Sequence, residues 1–525
     1  MRLIFACTKF LLYWLCWAMW KACQGAYRLT RQLLRKRSVT FGSARFSTIR
    51  ELRRAGALDG DGLIIGKVGQ QYLRFNNPEG SALVFAPSGA GKGVGFVIPN
   101  LLSYPGSMVI TDPKGENYCV TRRQRSTFGK VVSINLIDPD SSDRFNPLDE
   151  IRIGTNHEQD DAEVLADLML THDPRADSHW RDKAKSWLTG ILLYVAYARV
   201  TNPDWSTLGV VNKLVCAGRA DLDQMVTHMA AFPVEKVREV AGEIARGLDS
   251  TEEAWNILSN MAKGTEAWGF GKPMGKIGRS SSFRLADLTK ETVSVYLMVP
   301  EDKLAIYGGV LRVVVGMALN SVEREGKHHT PLHKPMFMLD EAAALGYLQP
   351  LESGMGHLRA YARCAMVFQD LHQLRATYPK AESMIANFGA VMGWAVNDMP
   401  TATMLSERIG ATTVVSHSVG VSQSSAALLR HQSQAGLSEA SRLLLDPAEI
   451  TRLPADTVLA FIGRKVEFPI KAERVRYYEE RCFKGMWDAW REGKASGMAT
   501  VDLGWWPRLQ APASLSTVVL PSIRR

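Results

Sequence analysis

Short apolar runs alternate with helical stretches in two parts of the chain. Seven of these runs have the length and continuity of buried strands. They lie at residues 82–86, 107–111, 130–137, 293–299, 335–339, 364–368 and 389–396. Helical stretches lie between them at 91–102, from about 116, and at 303–321. Strand–helix–strand repetition of this kind predicts an α/β fold, in which a parallel sheet carries helices on both faces.

The region between these two parts has helical periodicity and almost no strand pattern. Helices are predicted at residues 160–171, 180–198, 220–231, 235–248 and 252–262. Apolar side chains recur at three-to-four spacing in the second of them, which predicts a buried face. We therefore expect an all-α insertion at about 155–278. The serine-rich residues 416–434 are polar and low in charge, which predicts a mobile loop, and the residues after about 498 are expected to be irregular.

The N-terminal residues form an apolar segment next to a basic one. Residues 3–20 are 18 long, near the short end of what a bilayer span needs. Tryptophans recur every three residues, at Trp14, Trp17 and Trp20, as in an interfacial helix. A transmembrane anchor, an interfacial helix and a cleaved signal peptide are the three interpretations. The length and flanks favour the anchor, and no small-residue cleavage site is evident.

The net charge of +10 is concentrated beside this segment. The first 54 residues carry +11, which leaves −1 for the other 471, so the sequence pI of 9.2 does not indicate a DNA-binding body. A basic flank predicts that the bulk of the chain is cytoplasmic. The 7 cysteines form no CxxC pair, which argues against a zinc framework. Composition and length exclude a disordered or disulfide-stapled protein and suggest about three domains.

The first predicted strand leads into a candidate phosphate-binding loop, APSGAGKG at residues 86–93. Such loops follow the pattern GxxxxGK[ST], in which backbone N–H groups and the lysine contact phosphate oxygens. Gly91 and Lys92 fit the pattern. Ala86 replaces the first glycine, and Gly93 replaces the hydroxyl that binds Mg²⁺. The alternative is a glycine-rich turn with a surface lysine.

Two further strand ends carry polar side chains. Residues 335–339 end in Asp340 and Glu341, where one carboxylate could hold Mg²⁺ and the other could orient an attacking water. The alternative is an acidic helix start. Residues 364–368 end in Gln369, which could sense a γ-phosphate or could be an exposed loop amide. The combination of three such motifs on α/β strands favours a nucleotide site.

Together these motifs resemble the TraG/TraD-type coupling proteins of type IV secretion systems. The resemblance covers about residues 40–480. It rests on GAGKGVGFVIPN at 89–100, DPKGE at 112–116, RFNPL at 144–148, LDE at 339–341 and QDLHQL at 369–374. Weaker matches are FGSAR at 41–45, Leu453-Pro454 and Tyr477-Tyr478.

The resemblance implies a RecA-like P-loop ATPase with an inserted all-α domain and an N-terminal membrane anchor. It implies ATP and Mg²⁺ as ligands, with Lys92 on phosphate, Asp340 on Mg²⁺, Glu341 activating water and Gln369 reading the γ-phosphate. The nucleotide-binding set is then Ser88, Gly89, Ala90, Gly91, Lys92 and Gly93. Ser88 or water could supply the oxygen that Gly93 lacks.

The resemblance further implies a ring, usually a hexamer, in which one subunit supplies an arginine finger to the next. Arg359 is the first candidate and Arg363 the second, and an ordinary surface arginine is the alternative for each. The segments expected are 1–37 as anchor and basic flank, 38–154 and 279–485 as the two parts of the nucleotide-binding domain, 155–278 as the all-α domain, and 486–525 as tail.

The implied function is a membrane-associated ATPase at the bacterial inner membrane. It would recruit DNA or relaxase–DNA complexes and pump them into a type IV secretion channel during conjugation. The alternative is a receptor for protein effectors in which ATP hydrolysis serves assembly, and the balanced charge of residues 55–525 favours it mildly. The family usually has two membrane helices, whereas this sequence has room for one. A chromosome-segregation type of pump is disfavoured, because no DNA-reading domain is evident after about 480.

Overall fold

The computed structural model describes residues 40–490 except 78–79, 172–178, 250, 422–432 and 464, together with residues 14, 17–21, 23 and 24. Most of the expected membrane anchor and the tail after 490 therefore lie outside the described residues. The chain forms two compact units. The larger comprises Phe46–Leu405 and Pro447–Arg525, and the smaller comprises Met1–Arg45 and Ser406–Asp446.

One sheet organises the larger unit. Among the described residues it has eleven strands, in the order β2-β1-β13-β12-β9-β3-β8-β7-β4-β6-β5. The strands are β1 Leu63–Val68, β2 Gln71–Phe75, β3 Ala82–Phe85, β4 Met108–Asp112, β5 Lys130–Asn135, β6 Val293–Met298, β7 Met336–Leu339, β8 Arg363–Phe368, β9 Ala390–Trp394, β12 Thr457–Ile462 and β13 Ile470–Glu473. The seven from β9 to β5 are mutually parallel, and the other four pair antiparallel.

The seven parallel strands are the seven predicted from the apolar runs. They are easy to recognise because both faces of the sheet are covered. In β3, Leu83 and Phe85 join the hydrophobic core on one face, while Ala82 and Val84 join the core on the other. A strand buried on both faces is continuously apolar, so its sequence stands out. The α/β class is thereby confirmed.

The four antiparallel strands were not predicted. β1 and β12 are each six residues long with four buried positions, and their apolar runs were not recognised as strands. The other two strands are only partly buried: β2 has two buried positions out of five, and β13 alternates buried and exposed residues over four positions. Such short alternating segments carry too few apolar residues to be distinguished from loops.

The described chain is otherwise largely helical. The helices are α1 Ile49–Arg54, α2 Ile98–Ser103, α3 Glu116–Phe128, α4 Glu158–Met169, α5 His179–Tyr197, α6 Leu208–Val215, α7 Arg219–Ala230, α8 Glu235–Asp249, α9 Thr251–Thr265, α10 Pro273–Ile277, α11 Asp287–Lys290, α12 Leu304–Gly326, α13 Gln349–Glu352, α14 Met355–Leu358, α15 Leu371–Thr377, α16 Ala381–Asn387, α17 Met399–Ile409 and α18 Pro447–Ile450.

The described residues between β5 and β6 contain helices and no strands. The five helices predicted there are α4, α5, α7, α8 and α9, each within three residues of the predicted ends. Their buried side chains, such as Leu165 and Trp187, belong to the same continuous core as Leu83 and Phe85 of β3. The helical region therefore shares a hydrophobic core with one face of the sheet.

One described helix, α12, is long and apolar enough to cross a membrane. The segment Glu301–Gly326 has a mean hydropathy of 1.5, yet 72% of its most apolar stretch is buried within the fold. This helix is the one predicted at residues 303–321. Its burial explains its composition, because a core helix must be apolar on nearly all sides.

The prediction of a loop at residues 416–434 was wrong at both ends. Residues 411–421 form strand β10 and residues 433–443 form strand β11, paired antiparallel over eleven residues. Residues 422–432 lie outside the described residues. The backbone pairing of a two-stranded ribbon needs no continuous apolar face, so a polar composition does not exclude it.

We expect the contact between α5 and α8 to be intolerant of any added atom at Gly190. A Cβ there would lie 2.6 Å from Cβ of Val240, an atom attached to the helix backbone and unable to move aside. Gly190→Ala should lower the free energy of unfolding by about 1–3 kcal/mol through overpacking. The measurement is chemical denaturation followed by tryptophan fluorescence.

Gly242→Ala is the matched control on α8. A Cβ there would meet only the end of the Arg246 side chain, at 3.4 Å. Because alanine favours helix over glycine, this variant should be more stable by about 0.5–1 kcal/mol. Equal stability of the two alanine variants would contradict the packing described for α5 and α8.

Candidate active site

Three neighbouring parallel strands bring the predicted motifs to one edge of the sheet. Strand β8 lies between β3 and β7, with Phe85 opposite Phe368 and Leu339 opposite Met366. Their carboxyl ends therefore coincide, and each is followed by one motif: the glycine-rich loop, Asp340 with Glu341, and Gln369. The carboxyl edge of a parallel sheet is where such folds bind ligands.

The loop at residues 86–93 needs its glycines. Gly89 and Gly91 have φ values of +77° and +71°, a conformation that other residues adopt at a cost. A Cβ at Gly91 would also overlap the guanidinium of Arg474. The helix predicted at 91–102 is present after the loop, but its first part is not α-helical. It begins as a π-helix over Gly93–Val97 and becomes α-helical at Ile98.

Lys92 pairs with both carboxylates at the end of β7. Its Nζ lies 2.7 Å from Oε2 of Glu341 and 3.5 Å from Oδ1 of Asp340. Burial alone would lower the pKa of Lys92, but the two carboxylates outweigh it and the pKa is raised. Burial also opposes ionisation of Glu341, yet Lys92 and two glutamine amides hold the pKa of Glu341 below its ordinary value. In this state Glu341 is a weak base.

Glu341 is held in a strained conformation by three donors. Its φ of 63° and ψ of 56° lie in the left-handed region, which is costly for a non-glycine residue. Besides Lys92, the amide Nε2 atoms of Gln369 and Gln373 donate to Oε1 at 2.9 and 2.8 Å. Gln373 also accepts from the backbone N–H of Gln369. The two glutamines therefore fix the carboxylate that faces the loop.

Asp340 is suited to hold a divalent cation. Its side chain is only 12% exposed, and its buried Oδ1 accepts no hydrogen bond even though Lys92 is 3.5 Å away. Burial raises the pKa of Asp340, and Lys92 only partly offsets this. The described residues contain no cluster of three or more acidic, histidine or cysteine ligands. An Mg²⁺ ion at Asp340 would therefore take its other oxygens from phosphate and water, as this ion commonly does.

A cavity of about 370 Å³ lies above these groups. Its lining includes Ser88, Gly89, Gly91, Lys92 and Gly93 of the loop, the carboxylates Asp340 and Glu341, and Gln369. Lys114 and Glu301, whose charged atoms are 3.5 Å apart, also line it. Of the residues expected at the site, Arg359 lies away from the cavity. Ala90 belongs to the loop but does not line the cavity, and its carbonyl accepts a hydrogen bond from Trp394.

The two arginine-finger candidates have different surroundings. Arg359 is exposed at the end of α14, and its carbonyl accepts from Lys334 Nζ. Arg363 is buried at the amino end of β8, where it donates to the carbonyls of Gly80 and Phe75. A buried side chain bound within its own chain cannot reach a neighbouring subunit, so Arg363 is wrong as the second candidate. Arg359 remains a prediction.

Three residues that contact the site were given no role in it from the sequence. Gln373 holds Glu341, and Arg474 and Trp394 donate to the carbonyl of Ala90 in the loop. The spacing of Gln369 and Gln373, four residues apart at a helix start, could have indicated the first. Arg474 follows β13 and Trp394 ends β9, and only the folded sheet brings them to the loop.

Asp112 is a buried carboxyl at the cavity with an unusual titration. Burial raises its pKa from 3.8 to about 7, although backbone N–H groups of Tyr118 and Asn117 donate to it. Between pH 4 and 7 the unfolded chain loses this proton while the folded chain keeps it. Stability therefore falls as the pH rises through this window, by at most about 1.4 kcal/mol per pH unit.

We expect Asp112→Asn to remove this pH dependence. The asparagine oxygen can still accept from the N–H of Tyr118, so the backbone contact is retained. The variant should match the wild type near pH 4 and become increasingly more stable than it up to about pH 7. Unfolding midpoints measured across this range without nucleotide would test it, and a constant difference between the two proteins would contradict the assignment.

The chain is similar to proteins of conjugation and type IV secretion. The family described as "Type IV secretory system Conjugative DNA transfer" matches residues 45–502. The chain is 32% identical over 404 residues to the conjugal transfer protein TraG of Escherichia coli, covering 73% of this chain and 63% of TraG. It thus spans less than two thirds of that relative. It is 27% identical over 469 residues to protein VirD4 of Rhizobium rhizogenes, covering 85% and 67%.

The fold is also similar to that of a solved coupling protein. The plasmid coupling protein TrwB in complex with ADP and Mg²⁺ superposes with a TM-score of 0.59 at 16% identity, covering 82% of this chain and 94% of that one. TrwB in complex with a non-hydrolysable ATP analogue gives a TM-score of 0.57 at 17% identity, covering 82% and 93%. This likeness establishes that the chain has the α/β fold of TrwB. The family match over residues 45–502 shows that the chain belongs to the TraG/VirD4 family of type IV secretion coupling proteins.

Proposed function

We propose that this protein is an ATPase at the bacterial inner membrane that recruits DNA or DNA–protein complexes and moves them into a type IV secretion channel. The observation that carries the proposal is the position of Lys92, on a glycine-rich loop between Asp340 and Glu341 in one cavity. The names of the relatives and the nucleotide complexes of TrwB support it.

The loop and Lys92 account for phosphate binding. The backbone of Gly89, Gly91 and Gly93 lines the cavity, where N–H groups without side chains can approach phosphate oxygens closely. Lys92 is presently neutralised by Glu341. A triphosphate competes for the ammonium with several negative oxygens, so binding exchanges one ion pair for another. This exchange frees the carboxylate of Glu341.

The freed Glu341 can then act on water. Without Lys92, the burial of Glu341 is offset only by the two glutamine amides, so its pKa rises toward the range of a useful general base. A water oxygen forms a bond to the γ-phosphorus, the bond to the bridging oxygen of ADP breaks, and Glu341 accepts the water proton. Gln369 and Gln373 keep the carboxylate at its position during this step.

Asp340 would hold Mg²⁺, which would supply electrostatic stabilisation of the phosphate oxygens. The buried oxygen of Asp340 without a hydrogen bond is the observation that supports this assignment. Ser88 is exposed on the loop and lines the cavity, so its hydroxyl is available in place of the one that Gly93 lacks.

The assembly is proposed to be a RecA-like ring, with six copies as the expected number. Arg359 is exposed at the end of a short helix that follows Glu341 in the chain, which suits a residue presented to the next subunit. The proposed partners are a relaxase–DNA complex, the channel components and the membrane. The balanced charge of residues 55–525 keeps the protein-effector receptor as the second candidate.

ATP turnover by the full-length chain tests the proposal. Lys92→Ala and Glu341→Gln should each reduce turnover by about 100-fold or more, because one removes the phosphate contact and the other the base. Single-stranded DNA should stimulate the wild type and neither variant. Arg375→Ala, which removes an exposed pair with Glu382 outside the cavity, is the control and should leave turnover within about twofold of wild type.

Three results would count against parts of the proposal. Turnover that survives Lys92→Ala would contradict the site. Lys92-dependent turnover that is indifferent to DNA would favour the protein-effector receptor over DNA movement. Unchanged turnover in Glu341→Gln would remove Glu341 as the base while leaving the nucleotide site intact.

A further inference from the structure

The outer side of the phosphate loop is held by two side-chain donors. Nη1 of Arg474 lies 2.5 Å from the carbonyl oxygen of Ala90, and Nε1 of Trp394 lies 3.0 Å from the same oxygen. Arg474 follows the antiparallel strand β13, and Trp394 ends β9, the parallel strand that borders the antiparallel group. Neither residue lines the nucleotide cavity.

Arg474 is itself fixed by Asp456. Its Nε and Nη2 donate to Oδ1 of Asp456 at 3.0 and 2.6 Å, and its backbone N–H donates to the carbonyl of Asp456 at 2.8 Å. The other carboxylate oxygen accepts from Arg476 at 2.5 Å. Every nitrogen of the Arg474 guanidinium therefore has a partner, and its side chain is only 14% exposed. Such a bridging, planar contact is one that arginine makes and lysine cannot.

The glycines of the loop make room for this arginine. A Cβ at Gly91 would overlap its guanidinium, and a Cβ at Gly95 would lie 2.5 Å from its Cγ. Arg474 thus packs directly against the loop and the first turn of the helix that follows it. This contact is a second reason, besides positive φ, why residue 91 is glycine.

The bond to Ala90 sets the direction of the next N–H group. The carbonyl of Ala90 and the N–H of Gly91 belong to one planar peptide unit, in which they point in opposite directions. Because Arg474 and Trp394 bind the carbonyl from outside the cavity, the N–H of Gly91 points toward the cavity that Gly91 lines.

We propose that Arg474, held by Asp456, is a positioning residue that keeps the Ala90–Gly91 peptide in the orientation that binds phosphate. This inference rests on the proposed nucleotide site. It adds that a residue from the C-terminal part of the chain holds the phosphate loop in place. Without Arg474 the peptide can rotate, and a smaller fraction of the molecules has the N–H directed to the ligand. The apparent affinity for ATP falls in proportion to that fraction. A bound nucleotide restores the orientation of the peptide, so steps after binding are little affected.

The test is the KM and kcat for ATP of the full-length chain, with direct binding of a non-hydrolysable ATP analogue and the thermal midpoint measured beside them. Arg474→Ala should raise KM about tenfold, the effect of losing one charge-assisted hydrogen bond, and change kcat less than threefold. Arg474→Lys, which can reach one acceptor, should recover part of the affinity. Asp456→Asn should raise KM about threefold because Arg474 loses its charged partner.

Arg476→Ala is the matched control, since Arg476 binds the same carboxylate without touching the loop. Its KM should stay within about twofold of wild type. Unchanged KM in Arg474→Ala, with or without a lower thermal midpoint, would overturn the proposal and leave Arg474 a structural role. If that variant does not fold, an unchanged KM in Asp456→Asn overturns it equally. Absence of any Lys92-dependent binding in the wild type would instead refute the nucleotide site itself.

Discussion

The structure of the site depends on one cation placed between two carboxylates. Lys92 comes from the loop after β3, and Asp340 and Glu341 come from the end of β7, with β8 between those strands. The parallel register of the three strands sets the distances. Because two buried carboxylates face a single ammonium, the cavity carries an excess negative charge. Such an arrangement favours a further cation beside Asp340 and releases Lys92 when a stronger anion arrives.

Strained backbone positions and supporting hydrogen bonds surround Lys92 and the two carboxylates. Among the described residues, both non-glycine positions with positive φ lie just after strands at this sheet edge: Ala395 directly follows β9, and Glu341 is the second residue after β7. Glu341 is held by amides from the start of α15, and the loop is held from outside by the ends of β9 and β13. The loop is therefore held by residues that do not line the cavity, and Glu341 is held by the two glutamine amides.

The sequence predicted the parts of this arrangement that depend on burial. All seven parallel strands could be recognised because both of their faces are covered, and the motif at each carboxyl end followed from the strand assignments. The five helices between β5 and β6 were equally clear from their apolar periodicity. The strand assignments alone thus predict that one edge of the sheet carries Lys92, Asp340, Glu341 and Gln369.

The features that the sequence did not predict depend on contacts between residues far apart in the chain or on partly polar segments. The antiparallel strands β2 and β13 are half-buried and short, and the ribbon of β10 and β11 has a polar composition, so these segments resembled loops. Arg363 was indistinguishable from Arg359 until the fold buried one and exposed the other. Arg474 and Ala90 are 384 residues apart, and nothing in either segment indicates the other.

The most direct test of the central claim is a structure of the full-length chain with Mg²⁺ and a non-hydrolysable ATP analogue. We expect Lys92 Nζ to leave Glu341 and contact the terminal phosphates, Asp340 to approach the metal, and Glu341 to stay bound by Gln369 and Gln373. A nucleotide bound in this cavity with the Lys92–Glu341 pair intact, or a nucleotide bound elsewhere, would contradict it.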